Sequence, residues 1–251
     1  MVSCLPTSVR PFLHQHRPSC KLKLGSPKAS KYVNPLSAPI KEDYMPTVLV
    51  ATTNPGKLRE YNHIFASVPS TRVASPNDLE VWIEVAETGT TFAENALLKA
   101  RALYAALPEN LHGDVWVLGD DSGLEVDAMD GGPGVYSNRW AGPDTSAEER
   151  NLKLLERLES VPDNRRGARF KCVIALIDPR GIEHILEGTV EGRIARNLQG
   201  TGGFGYDPLF QLPDGTRMST LTPDQKNSLS HRGRAAAKAA AIISEQNLPN
   251  A

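Results

Sequence analysis

The chain is 251 residues long, 40% apolar and 23% charged, enough for one large globular domain or two small ones, and this composition excludes a purely disordered polymer. Its longest apolar runs, such as Cys172 to Ile177, fall far short of the ~20 residues a membrane helix needs, so no membrane partner is expected. The formal charge of −1 conceals a split: residues 1 to 41 carry seven Lys/Arg and no acid, leaving 21 basic against 29 acidic residues, an excess that argues against affinity for nucleic acid.

Residues 1 to 44 read as a disordered extension. Pro6, Pro11, Pro18, Pro27, Pro35 and Pro39 would interrupt any regular element. The basic, Ser-rich, acid-free composition matches an organellar transit peptide, which would place the protein in a plastid or mitochondrion; a tail on a cytoplasmic protein is the alternative. Cys4, Cys20 and Cys172 are too scattered for a disulfide framework or a cysteine zinc site and suit a reducing compartment.

A domain is expected over 45–251. Val48 to Thr52 reads as a buried strand, and Lys57 to Ala66 as a helix with Leu58, Tyr61, Ile64 and Phe65 on its apolar side. Thr91 and Glu94 form a capping-box pattern that starts a helix through Leu107, which Pro108 ends. Val115 to Leu118 is a second buried strand. Thr145 and Glu148 are expected to cap a helix through Leu158. Arg169 to Ile177 and Ile182 to Val190, joined by Asp178-Pro179-Arg180-Gly181, predict an antiparallel hairpin, and a last helix covers Gly233 to Ser244. The alternation predicts a single α/β domain with a mixed sheet.

Four segments carry chemistry. Thr52-Thr53-Asn54-Pro55-Gly56-Lys57 lies between a strand and a helix N-terminus, where outward amides, the helix dipole and a lysine suit phosphate. It departs from a P-loop at Ala51 and Leu58. Gly119-Asp120-Asp121-Ser122-Gly123 is expected to be a turn at a strand's end. Its paired carboxylates, with Glu125, Asp127 and Asp130 following, repel unless a cation such as magnesium sits among them. Gly200 to Pro208 is glycine-dense and offers Phe204 and Tyr206 for stacking a nucleobase, with Gly205 permitting close approach and Asp207 as an acceptor. Lys226, His231, Arg232 and Arg234 cluster before the final helix, where basic groups oppose the dipole and call for an anion or an acidic partner.

These segments, with Glu87-Thr88-Gly89-Thr90-Thr91-Phe92-Ala93-Glu94-Asn95-Ala96 and Pro133-Gly134-Val135-Tyr136-Ser137, occur in the order and wording of one family. From Val48 to about Ile243 the chain resembles the inosine triphosphate pyrophosphatase family. The resemblance implies a two-lobed α/β fold with a long twisted mixed sheet and a central substrate cleft. It also implies a homodimer and magnesium-dependent hydrolysis of ITP, dITP and XTP to the monophosphate and pyrophosphate. Carried over residue by residue, Thr52, Thr53, Asn54, Pro55, Gly56 and Lys57 cradle the triphosphate. Asp121 is the proton acceptor and a metal ligand, and Ser122 contacts substrate. Phe204, Gly205, Tyr206, Asp207, Lys226, His231 and Arg232 hold the base, sugar or phosphate. Many members place the metal-binding Glu where this chain has Ala86, so the role passes to Glu87 or Glu84, with Glu87 assigned. A non-catalytic nucleotide sensor and a pyrophosphatase for other modified nucleotides are the rival readings.

Overall fold

The computed structural model describes residues 46–246 apart from 69–70, 80, 82 and 143. The extension over 1–44, the boundary at Tyr44, Cys4 and Cys20 therefore lie outside the described residues. Strand β1 (Thr47–Ala51) is buried on both faces and leads into α1 (Pro55–Phe65). Next come β2 (Arg72–Ala74), α2 (Phe92–Ala105), β3 (Val115–Val126), α3 (Ala147–Arg157), β4 (Gly167–Ile177), β5 (Glu183–Ile194), β6 (Phe210–Gln211), α4 (Pro223–Leu229) and α5 (His231–Gln246).

The sheet runs β2-β1-β3-β4-β5-β6. Strands β2, β1 and β3 are parallel, and β3 through β6 pair antiparallel. The mixed sheet and the β4–β5 hairpin are as expected. Because β1 feeds β2 on one side and β3 lies on its other side, the order reverses at β1, and α/β sheets bind ligands beyond the strand ends at such a switch point.

Alternation along each strand sorts side chains onto two faces. Val48 and Val50 of β1, with Trp116 and Leu118 of β3, pack under α1 and α5. Leu49 and Ala51, with Val115 and Val117, pack under α2. A third cluster around Leu124, Phe170, Leu154, Tyr206 and Phe210 fills the lobe built on the far ends of β3, β4 and β5. Two glycines set how closely the helices approach. A Cβ at Gly119 would lie 2.2 Å from the Ala96 carbonyl of α2, and one at Gly188 would lie 2.1 Å from the His231 carbonyl of α5.

Four expectations are corrected. The Gly119–Gly123 segment is not a turn: β3 runs straight through it to Val126, kept in register by the pairing of Asp120 with Ile174 and Asp121 with Val173. The cap of α3 is Ser146 with Glu149, one residue beyond Thr145 and Glu148; Thr145 instead donates its hydroxyl to the Gly142 carbonyl. The segment before the last helix is itself helical: Thr222, Pro223 and Gln225 start α4 with a capping box. His231 and Arg232 open α5 rather than precede it.

Candidate active site

Strand β1 ends at Ala51, opposite Gly119, while β3 continues past it paired only with β4, so the Asp120 carbonyl loses its β1 partner and faces the gap. A cavity of about 240 Å³ opens there, lined by Thr52, Thr53, Asn54 and Lys57 on one side and by Glu87, Lys99 and Asp120 on the other. The Asp120 carbonyl accepts from Lys99 Nζ at 3.1 Å and from Lys57 Nζ at 3.4 Å. The turn and the acidic strand thus share one opening.

The turn is ordered by its own side chains. Asn54 caps α1, accepting from the amides of Gly56 at 2.8 Å and Lys57 at 3.3 Å, and Pro55 occupies the first turn, where a missing N–H costs nothing. Thr52 Oγ1 accepts from the Asn54 amide. The expectation of outward, unpaired amides is corrected on this point: the Asn54 carbonyl oxygen occupies the position an anion would take.

Asp120 and Asp121 point to opposite faces of β3 because a strand alternates. Asp120 is buried beneath α1 and α5. Its carboxylate accepts from Lys57 Nζ, Tyr61 Oη and Arg232 Nε, each at 2.7 Å. Burial alone would raise its pKa, but Arg232 and Lys57 outweigh burial and hold it well below the usual carboxylate range. Asp121 lies on the α2 face, where Lys99 Nζ donates to it at 2.8 Å and Asn95 Nδ2 at 3.3 Å. There burial prevails over the opposing charge of Lys99, and its pKa is raised. The pair is therefore not a joint cation trap. Glu125 faces Lys171 and Arg169, and Asp127 faces Arg169, so those acids are also elsewhere.

Glu87 completes the cavity wall. Lys99 Nζ lies 2.6 Å from its Oε1, and Arg139 donates to its Oε2 at 2.6 Å. Burial would raise the Glu87 pKa, but these two cations lower it. Glu84, by contrast, is exposed. Among the described residues no three His, Cys, Asp or Glu side chains converge as a metal set. The donor chemistry still fits a hard divalent cation: two carboxylates meet at one ammonium beside an open cavity, and magnesium is commonly held by one or two carboxylates with water and phosphate completing its shell.

A second cavity, of about 680 Å³, lies across the α1 turn, lined by Gly56, Glu60, Gly203, Phe204 and Lys226. Phe204 borders it with Lys226 Nζ 4.7 Å and Arg232 Cζ 5.6 Å from its ring centre. Lys226 is paired with Asp207 at 2.5 Å and Glu60 at 2.7 Å. Asp207 also accepts from the Phe204 amide, which fixes the glycine loop, and burial raises its pKa despite Lys226. Arg232 reaches Glu60 at 2.5 Å and Ser122 Oγ at 2.7 Å. The acidic partners that the basic cluster called for are thus Asp120, Glu60 and Asp207; Arg234 instead donates to the Thr189 carbonyl.

Two side chains differ from expectation. Tyr206 is in the core, its hydroxyl donating to the Ser137 carbonyl and accepting from Trp140, so its ring offers no face for stacking. His231 is buried and stacked on Phe170 at 4.8 Å, with Nδ1 unpartnered. Burial, then the charges of Arg232 and Lys226, hold its pKa well below the ordinary imidazole value, so it is neutral rather than a third cation.

Sequence reasoning missed Lys99, Asn95, Glu60 and Tyr61. Asn95 and Lys99 stand four apart on α2, and Lys57 and Tyr61 four apart on α1, so each pair shares a helix face with the apolar stripe. A polar pair on an otherwise core-facing side was the available signal.

Among relatives, a dITP/XTP pyrophosphatase of Geobacter sulfurreducens is 48% identical over 77% of this chain and 94% of its own length. A dITP/XTP pyrophosphatase of Desulforamulus reducens is 45% identical over 78% and 94%. A solved HAM1 protein from Coxiella burnetii superposes with a TM-score of 0.69 at 38% identity, covering 80% of this chain and all of the other. Fold and relatives together define the class, a hydrolase of nucleoside triphosphates built on a mixed α/β sheet. A model of the Ham1 family matches residues 48–242, and the chain belongs to that family.

Proposed function

We propose that this protein hydrolyses the non-standard purine nucleoside triphosphates ITP, dITP and XTP to their monophosphates and pyrophosphate, cleansing the nucleotide pool with the help of magnesium. The observation that carries the reading is the convergence of Asp121 and Glu87 on Lys99, which lines one cavity together with Glu87, Thr52, Thr53, Asn54 and Lys57. The names of the relatives support the substrate class. Asp121 and Glu87 would hold the magnesium ion, which when bound supplies charge neutralisation to the phosphates and polarises a water.

The chain's own residues do the rest. The α1 turn borders both cavities, so a long substrate straddles it: base beside Phe204, triphosphate over Thr52, Thr53, Asn54, Pro55, Gly56 and Lys57. Phosphate oxygens would replace the Asn54 side chain at the helix amides, where the dipole favours negative charge. Asp121 accepts the proton of the water that attacks the α-phosphorus. Ser122, Arg232 and Lys226 form a rigid polar floor tied to Asp120, Glu60 and Asp207. Gly205 follows Phe204 at the base end, Tyr206 acts from the core by holding their loop, and His231 opens α5 beside Arg232. A donor set aimed at a 6-oxo purine leaves partners unmet when adenine binds, and such mismatches discriminate strongly.

The working form in this reading is a homodimer, delivered to a plastid or mitochondrion by residues 1 to 44. Pyrophosphate release measured with ITP, dITP, XTP, ATP and GTP, with and without magnesium, tests the function. Binding without products would identify a sensor, and preference for a modified pyrimidine would sink the purine assignment. A reporter fused to residues 1 to 44 that stays diffuse in the cytosol would remove the targeting step.

A further inference from the structure

A cavity of about 220 Å³ lies where β5 ends and β6 pairs with it, lined by Arg166, Arg193, Arg196 and Arg217. Asp163 is the one acidic residue on that wall, and it is bound to Arg196 at 2.7 Å. Arg166 and Arg217, 2% and 5% exposed, have only neutral partners. Arg166 donates to the carbonyls of Ile194, Leu158 and Ala195. Arg217 donates to the carbonyls of Asn197 and Pro208, and its Nε, buried, has no partner. Arg193 is exposed and meets the Gln211 amide oxygen at 2.8 Å. Glu156 and Glu159, also exposed, border a neighbouring hollow beside Arg166 and Arg196.

Four cations around one carboxylate repel, and buried charge without a counter-ion is costly. The electrostatics point the same way: burial, then the charge of Arg196, lowers the Arg166 pKa against the opposing charge of Asp163, and burial followed by Arg193 lowers that of Arg217. A folded protein seldom keeps a buried donor such as Arg217 Nε unmet without a ligand to meet it. Guanidinium forks match tetrahedral oxyanions in geometry as well as charge.

We propose that this arginine pocket is a second binding site, separate from the cavity at the β1 end, for a small oxyanion of the phosphate class. Orthophosphate and pyrophosphate share the required chemistry. The occupant would complete Arg217 Nε and offset the repulsion that Arg196 and Arg193 exert on Arg166 and Arg193 exerts on Arg217.

Arg193→Gln is the clean variant, since Arg193 is exposed and holds no backbone, whereas Arg217 braces the Pro208 carbonyl beside Asp207. The full chain, in buffer free of phosphate and sulfate, is titrated calorimetrically with orthophosphate and with pyrophosphate, and its melting temperature is followed. Expected are saturable binding to the unaltered protein and weakening by roughly tenfold or more in Arg193→Gln, about 1.4 kcal/mol for each factor of ten. The unliganded melting temperature of Arg193→Gln should also exceed that of the parent, because one repelling charge is gone. Tighter binding of pyrophosphate than of orthophosphate would name the diphosphate as occupant, and the reverse order the monophosphate. No saturable binding, or equal affinity in Arg193→Gln, overturns the proposal; in the second case the anion binds elsewhere.

Discussion

Asp120 and Asp121 are neighbours in sequence and opposites in environment. On the α1/α5 face, Asp120 is saturated by two cations and a phenol, so it is fixed, ionised and shielded. On the α2 face, Asp121 has one cation and a long amide contact and sits beside an open cavity with a raised proton affinity. The same residue type thus serves as scaffold on one side of a strand and as a candidate base on the other, and one step along the backbone separates the two.

The widest separation should appear in paired variants. Asp121→Asn should slow pyrophosphate release from ITP by about two to four orders of magnitude, the usual weight of a lost general base, with little change in melting temperature. Near-normal turnover would erase the distinction. Asp120→Ala should act the other way, lowering stability by about 3–5 kcal/mol in urea titrations because Lys57 is left buried without a counter-ion and Arg232 keeps only Glu60. A loss below about 1 kcal/mol would show that Asp120 is no scaffold.

The next contrast concerns helix approach. Gly119→Ala should push α2, with Asn95 and Lys99, away from Asp121, whereas Gly188→Ala should push α5 away from β5. Each should cost about 1–3 kcal/mol, the usual range for overpacking. The first should additionally lower kcat for ITP, and equal effects on kcat would blur the comparison.

Acidity sharpens it further. Asp120 and Glu60 have pKa values lowered from the ordinary 3.8 and 4.5, so the stability they contribute is present above those values and disappears as pH falls through the lower folded ones. Asp121 has the opposite sign: its raised pKa favours the folded state only while it is protonated, and that contribution is lost as pH rises through the folded value. Activity should therefore fall on the acid side before stability does. Lys99→Met, which removes a charge lowering the Asp121 pKa, should move the acid limb of the rate profile upward, and an unmoved limb would detach Asp121 from the profile. The smallest effect is expected at the α2 cap, where Thr91→Ala should cost about 1 kcal/mol without changing the pH profile.

Local rules made much of this legible. The β1–turn–α1 unit, the Thr91/Glu94 box and the Asp178–Gly181 hairpin each follow from residues within a few positions of one another. The length of β3 does not, because two Asp, a Ser and two Gly read as a turn, and only pairing with β4 across ten registered positions keeps them extended. The division of labour between Asp120 and Asp121 was hidden by that same reading, since a turn has no faces. Lys99 and Glu60 escaped notice because Lys99 meets Asp121 22 positions away and Glu60 meets Lys226 and Arg232 166 and 172 positions away in sequence, contacts only the folded chain can make.

The margins of the sheet are short, three residues in β2 and two in β6. β6 pairs only with Arg193 and Ile194, so among the described residues Glu183 to Gly192 of β5 have no strand beyond them; along that stretch the Thr189 and Glu187 carbonyls accept from Arg234 and Lys238 of α5. Long cationic side chains laid over a strand border blunt it as a template for a further strand, so this margin is guarded by the helix beside it and not by its brevity.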